Sequence, residues 1–211
     1  MKTNSLGFIG GGRITKIILQ AFENSGLTFE KIVVSDTSQE ILNSLKQKFP
    51  KIIVTMDNLK EVVQNEIVFV ALHPPVLMDS LTKIKDFVSK DSVLVSLAPK
   101  LTIEKITAAL GGLTNIARMN PSASAIVNKG VNPITFSKEM HVEVKNKLLE
   151  LMRSLGSTPV VEESKIEAYA VITAMGHTYY FFQFQKLKDL AVSYGMNEKE
   201  AQTAITEMIG G

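Results

Sequence analysis

The feature that most constrains the fold is a run of three glycines near the N-terminus. Residues 6–9 are strand-like and apolar, residues 10–12 are all glycine, and residues 13–18 begin a helical pattern. This order predicts a strand, a tight turn and a helix N-terminus, where free N–H groups and the helix dipole favour a pyrophosphate. Gly10 is expected to form the turn, and Gly12 to let the backbone approach the phosphates.

A second apolar segment, residues 31–35, ends in Asp36. An acid about 20 residues after the glycine turn accepts hydrogen bonds from the adenosine ribose in dinucleotide-binding folds. Alternatively, Asp36 caps the helix that begins near Ser38. No arginine or lysine occurs between residues 35 and 40, which favours NAD over NADP. The hydroxyl of Thr37 leaves a phosphate contact open.

Composition excludes several classes of protein. The chain has 211 residues, 45% of them hydrophobic and 21% charged, and its formal net charge is +2. These values are typical of a globular protein, not of a nucleic-acid-binding or membrane protein. The absence of cysteine rules out disulfides and thiolate sites, and agrees with a cytoplasmic location. The three histidines are too dispersed to predict a metal site.

Strand-like and helical segments alternate through residues 1–162. This alternation predicts an α/β fold, a Rossmann-type doubly wound and mostly parallel sheet. We expect strands at 5–9, 31–35, 51–54, 67–72, 92–97, 114–118, 131–136 and 158–161. Helices are expected at 13–24, 38–48, 58–64, 75–87, 102–110 and 138–154.

Residues 163–211 form a separate, helical region in this interpretation. Residues 164–194 predict one long helix or two abutting helices, and Asn197 with Glu200 forms a capping box before a last helix. The region is so rich in aromatic residues that two helices cannot bury them against each other. We therefore expect a homodimer through these helices; packing entirely within one chain is the alternative.

Several segments together resemble the pyrroline-5-carboxylate reductase family, over nearly the whole chain. Residues 118–130, RMNPSASAIVNKG, are similar without gaps to the family pattern R-x-M-P-N-T-P-A-x-V-N-x-G. Residues 7–18 resemble GFIGxGNMxxAI, with Arg13-Ile14 in place of Asn-Met. Shorter similarities occur at 55–58 (TMDN), 70–74 (VALHP, with His73 where the family has Lys) and 96–102 (SLAPKLT).

The resemblance implies NAD(P)-dependent hydride transfer to the C=N bond of a small cyclic imino acid. It also implies that the cofactor lies along the loops that follow the strands. The expected cofactor-binding residues are Gly10, Gly12, Arg13, Ile14, Asp36, Thr37, Asn58, Ala71, His73, Pro74 and Asn120.

The substrate half departs from the family pattern. The family's N-T-P is replaced by Ser122-Ala123-Ser124, and its S-P-G-G-T-T segment has no counterpart before Gly211. The expected catalytic residues are His177, as a proton donor or carboxylate ligand, and Thr178, beside a helix N-terminus that receives a carboxylate. For His177, simple packing is the alternative.

Two other functions remain open at this point. One is a different reductase of the wider group, similar to the deazaflavin-dependent NADP reductases, which share the N-terminal domain. The other is a dimeric NAD(P)-binding module without turnover. Substrate profiling separates the first from a pyrroline-5-carboxylate reductase, and cofactor binding without hydride transfer identifies the second.

Overall fold

The computed structural model describes residues 4–56 and 58–210, and of Pro75 and His177 it describes the backbone alone. Within these residues, seven strands form one sheet in the order β3-β2-β1-β4-β5-β6-β8. Neighbouring strands are parallel except for the β6–β8 pair. The strands are β1 (Ser5–Ile9), β2 (Lys31–Ser35), β3 (Ile53–Thr55), β4 (Ile67–Val70), β5 (Val93–Ser96), β6 (Ile116–Met119), β7 (Gly130–Val131), β8 (Ile134–Phe136) and β9 (Gly156–Ser157).

Helices cover both faces of this sheet, as the continuous apolar strands require. Phe8 on β1 and Phe69 on β4 are fully buried and stack with ring centroids 4.8 Å apart. The helices that follow or precede the strands are α1 (Arg13–Asn24), α2 (Gln39–Lys48), α3 (Leu59–Val63), α4 (Pro74–Ile84), α5 (Ile103–Ala109) and α6 (Val142–Met152). Along the sheet, strand numbers decrease from β3 to β1 on one side and increase from β4 on the other. The order therefore reverses between β1 and β4, which is the topological switch point.

The predicted Rossmann-type sheet is confirmed, and several boundaries differ. The predicted strand at 131–136 is divided into β7 and β8, because Pro133 lies between them and cannot donate to a ladder. The predicted strand at 158–161 is reduced to a single bridge between Ile134 and Val160, preceded by β9. A 3₁₀ turn at Ala123–Val127, which the residue pattern does not predict, follows β6.

The chain after Glu162 is helical, but its first helix is irregular. It comprises α7 (Ile166–Ala170), a π-helical turn (Val171–Met175), a 3₁₀ turn (Gly176–Tyr180) and α8 (Phe181–Ser193), and is followed by α9 (Glu198–Gly210). The predicted capping box is confirmed. Asn197 N donates to Glu200 Oε2 at 2.8 Å, and Glu200 N donates to Asn197 Oδ1 at 3.0 Å.

This helical region buries little of its apolar surface. Among the described apolar residues beyond position 163, only Ile166 and Ala201 are buried. Several large apolar and aromatic side chains of this region are more than half exposed, including Ile172, Tyr179 and Phe182. The alternative in which the aromatic residues pack within one chain therefore does not describe this structure. In the described part of the chain, no helix has both the length and the apolarity to cross a membrane.

Candidate dinucleotide-binding site

The glycine turn adopts the geometry that the sequence predicts. Gly10 has a φ of +99°, and a Cβ there would lie 2.5 Å from the carbonyl oxygen of Ala71. A side chain at this position is therefore excluded by conformation and by space. The hydroxyl of buried Thr15 donates to the carbonyl oxygen of Gly10 at 2.6 Å. Where the usual fingerprint has a third glycine, this chain has a hydroxyl that closes the turn.

The N-terminus of α1 opens directly beyond this turn. Gly12 is its N-cap residue, no side chain caps the helix, and a Cβ at Gly12 would meet no atom within 4 Å. Arg13 is exposed and Ile14 is half-buried. A 12-residue helix with an uncapped N-terminus and free space above it suits an anion, because its first N–H groups and its dipole point into that space.

Asp36 hydrogen-bonds both the glycine turn and Ser38, which is the N-cap residue of α2 in place of Asp36, and its contact with a ribose stays a prediction. Its Oδ2 accepts from the Gly11 N–H at 2.7 Å, and its Oδ1 accepts from the Ser38 N–H at 2.9 Å. Ser38 itself caps α2, since its hydroxyl accepts from Ile41 N. Asp36 thus joins the glycine turn to the start of α2. An ionised carboxylate has about four acceptor positions, so lone pairs remain for ribose hydroxyls.

The other predicted cofactor residues lie on loops at the same edge of the sheet. Asn58 caps α3 through Glu61 N at 3.2 Å, and Ala71 N donates to Ile9 O at 2.8 Å. His73 is the exposed N-cap residue of α4, and Pro74 is its first residue. Asn120 follows β6 and is half-buried. Thr37, after β2, is exposed. The fold therefore brings these residues to one edge of the sheet, and their contacts with a cofactor stay predictions.

The two predicted catalytic residues lie in the 3₁₀ turn between α7 and α8. The side chain of His177 lies outside the described residues. The Thr178 hydroxyl donates to Met175 O at 2.6 Å. Met175 and Tyr180, which flank the turn, both have right-handed helical backbone angles. The expected helix N-terminus near Thr178 is therefore wrong, because the backbone continues from one helical segment into the next.

Sequence reasoning missed the ionic cluster at this edge. The guanidinium of Arg118, on β6, pairs with Glu163 and Glu167 at 2.9 and 2.6 Å. Partial burial raises the pKa of the Glu167 carboxyl. The hydrogen bonds from Arg118 and Lys100 N, with the charge of Arg118, outweigh this and hold the pKa below its ordinary value. An arginine inside an apolar strand was the available signal, since such a charge needs a partner.

Comparison with known proteins agrees with this geometry. A sequence model of the family described as NADP oxidoreductase, coenzyme F420-dependent, matches residues 5–100. The chain is 27% identical to the pyrroline-5-carboxylate reductase of Methanosarcina acetivorans, a match that covers 100% of this chain and 78% of the relative. It is 28% identical to the Escherichia coli enzyme of the same name, over 98% of this chain and 77% of the relative.

Solved structures share the fold over the same extent. Pyrroline carboxylate reductase of Plasmodium falciparum, with NADP bound, has a TM-score of 0.84 at 20% identity, over 100% of this chain and 78% of its own. The enzyme from Coxiella burnetii also has a TM-score of 0.84, at 24% identity, over 99% of this chain and 77% of its own. Together, these findings show that the chain is similar in sequence to pyrroline-5-carboxylate reductases over nearly its whole length and shares their fold.

Proposed function

We propose that this chain is an NAD(P)-dependent reductase that transfers a hydride to the C=N bond of a small cyclic imino acid. The observation that carries the proposal is the uncapped N-terminus of α1, with open space above Gly12, at the switch point of the sheet. An anion fits there, and the pyrophosphate of a dinucleotide is the anion that this fold suits. The similarity to named reductases over the whole chain supports the choice of reaction.

The chain's own residues bind and orient the cofactor and the imino acid, because the nicotinamide group supplies the hydride when it is bound. The glycine turn and α1 hold the phosphates, and Asp36 receives the ribose. The loops that begin at His73 and Asn120 border the nicotinamide half. The 3₁₀ turn with His177 and Thr178 faces the substrate, where His177 donates a proton or binds the carboxylate. An imine that arrives protonated needs no strong general acid.

Spectrophotometry tests the reaction directly. Purified protein is mixed with pyrroline-5-carboxylate and either NADH or NADPH, and absorbance of the reduced cofactor is followed. We expect oxidation at enzymatic rates, and loss of that oxidation in Gly12→Val, whose fold is checked by circular dichroism. Cofactor binding without reduction of any imine or carbonyl would contradict the proposal and favour a module without turnover.

We further propose that Asp36 favours NADH over NADPH. Its carboxylate is anchored beside the glycine turn by two N–H groups, and a fixed negative charge there repels a 2′-phosphate. Asp36→Ser replaces the charged carboxylate with a neutral hydroxyl. The ratio of kcat/KM for NADH to that for NADPH is expected to fall by at least tenfold. An unchanged ratio would remove Asp36 as the determinant.

We also propose a cytoplasmic homodimer, in which residues 1–162 bind the dinucleotide and residues 163–211 form the interface. The exposed apolar side chains of the helical region support this assembly, because patches of this size mark interaction surfaces. Ile172 and Phe182 are 73% and 69% exposed. Sedimentation equilibrium is expected to show a dimer for the wild type and a monomer for the Ile172→Glu, Phe182→Glu variant. Val127→Glu, at a residue 59% exposed on the sheet region, is the matched control.

A second candidate is another reductase of the group that shares the N-terminal domain. The match of the F420-dependent NADP oxidoreductase model to residues 5–100 favours it. Oxidation of reduced nicotinamide cofactor by a deazaflavin, with no oxidation by pyrroline-5-carboxylate, would establish this alternative.

A further inference from the structure

One buried cation holds together three separate segments of the chain. The side chain of Arg118, on β6, is only 4% exposed. Its Nη1 donates to Glu163 Oε1 at 2.9 Å and its Nη2 to Glu167 Oε1 at 2.6 Å. The same two oxygens accept from the loop that follows β5 and from the first residue of α5. Ile103 N donates to Glu163 at 2.7 Å, and Lys100 N donates to Glu167 at 3.0 Å. We name these three side chains, Arg118, Glu163 and Glu167, the Arg118 clamp.

Several features of the clamp cost free energy of folding, so stability alone does not account for it. Two carboxylates share a single guanidinium, and among the described side chains the buried Nε of Arg118 has no hydrogen-bond partner. Lys100, whose N–H donates to Glu167 of the clamp, has a φ of +64°. A non-glycine residue in this conformation is strained, and it persists only where the surrounding structure imposes that conformation. Ion pairs of this kind define a geometry more reliably than they stabilise a fold.

The geometry that the clamp defines is that of the candidate site. Arg118 pairs in register with Ser96, the last residue of β5, so it lies at the edge of the sheet that carries the cofactor loops. Glu163 and Glu167 begin the helical segment that leads directly to the turn at Gly176–Tyr180. Contacts between the sheet edge and this segment therefore set the distance from the cofactor loops to His177 and Thr178.

We propose that the Arg118 clamp positions the helical region and the β5–α5 loop against the cofactor edge, and so sets the rate of hydride transfer. None of its three residues is assigned a contact with cofactor or substrate; they are positioning residues. The kinetic part of this inference rests on the proposed reductase function. A displacement of about 1 Å between reacting groups is enough to lower a rate by up to about 100-fold.

The kinetic test uses Glu167→Gln and Arg118→Lys, with Glu162→Gln as the matched control. Glu162 neighbours the clamp, but its ion pair with Lys165 is exposed to solvent. We expect kcat per folded chain to fall about tenfold in the clamp variants, while the Kd of the cofactor changes less than twofold. A purely structural role predicts a lower Tm with kcat per folded chain unchanged, which would overturn the proposal. The control is expected to match the wild type.

A second measurement does not depend on turnover. Because the sequence has no cysteine, spin labels can be attached at Gln47→Cys on α2 and Lys199→Cys on α9, both exposed positions. Labelled chains are diluted into unlabelled protein, and the distance between labels is measured by pulsed electron resonance. We expect one narrow distribution in the wild type and in Glu162→Gln, and a broader or shifted one in Glu167→Gln.

The two measurements separate the possible failures. If the wild type reduces no imine but the label distances shift in Glu167→Gln, the proposed function fails and the positioning role stands. If the distances in Glu167→Gln and Arg118→Lys match those of the wild type, the clamp does not position the helical region. That result overturns the inference whether or not the protein is active.

Discussion

The sheet region and the helical region use apolar residues in opposite ways. In residues 4–162, described apart from Asp57, the strands and both layers of helices bury Phe8, Phe69 and most other large apolar side chains. In residues 163–210, side chains such as Ile172 and Phe182 project into solvent. The first region contains the core that makes it fold. The second has a helical backbone but lacks, within one chain, the surface that its apolar side chains need.

This difference teaches that secondary structure and burial have separate causes. The start of α9 is specified by a local feature, the capping box of Asn197 and Glu200. Most of the stability of a helix in a protein comes from packing of its apolar face. The helical region therefore depends on contacts with another surface, and a second copy of the chain is the surface we propose.

The largest effect is expected for a matched pair of phenylalanine truncations. Phe8→Ala removes a fully buried ring from the centre of the sheet and should lower the free energy of unfolding by about 3–5 kcal/mol. Phe182→Ala in dilute, dissociated protein should change it by less than about 0.5 kcal/mol. Urea denaturation at several protein concentrations measures both. Equal losses for the two variants at high dilution would contradict the contrast between the regions.

The next effect separates two glycines of the same turn. Gly12→Val should weaken cofactor binding about 100-fold, or about 2.7 kcal/mol, because its side chain occupies the space above α1, where an added Cβ meets no protein atom within 4 Å. Gly10→Ala should instead destabilise the fold by about 3 kcal/mol, because of its positive φ and the contact with Ala71 O. Calorimetric titration and thermal unfolding distinguish them. A Gly12→Val chain that binds cofactor normally would place the phosphates elsewhere.

A smaller effect is expected at the buried hydroxyl of the turn. Thr15→Val keeps the shape of the side chain but removes the hydrogen bond to Gly10 O. The carbonyl loses its donor, so the free energy of unfolding should fall by about 1–2 kcal/mol, with a weaker affinity for cofactor. Urea denaturation and titration measure the two changes. If neither the free energy of unfolding nor the affinity changes, the Thr15 hydroxyl does not stabilise the turn, and the side chain only fills space.

The smallest effect is a pH dependence confined to the junction of the two regions. The folded-state pKa of Glu167 lies below its ordinary value, so the stabilisation is fully present above about pH 5 and is lost as pH falls through the folded pKa. The wild type should be more stable than Glu167→Gln at pH 7 by less than about 1 kcal/mol, because Glu167 is partly exposed. This advantage should shrink as the pH falls below the ordinary pKa of a glutamate and disappear below the folded-state pKa of Glu167. Urea denaturation from pH 3 to pH 7 measures it, and an advantage that grows in acid would contradict the sign.

Local signals predicted much of the fold and part of the candidate site. Strands β1 and β2 and helix α1 begin and end at the predicted residues, because glycine punctuation and apolar periodicity are local properties of the sequence. The loops of the candidate site follow from the same reading, since the carboxyl ends of parallel strands share one edge. The division of residues 130–136 into two short strands was missed although Pro133 is a local signal, whereas the antiparallel pairing of β8 with β6 depends on distant residues.

By itself, the sequence determined the glycine turn at Gly10, the alternation of strands and helices and the capping of α9. Each of these depends on backbone conformation or on residues within a few positions of one another. Only the tertiary structure decided that Arg118 joins Glu163 and Glu167, and that Asp36 binds the Gly11 N–H of the glycine turn. Those contacts join residues 25 to 49 positions apart, and such pairings follow from the path of the whole chain.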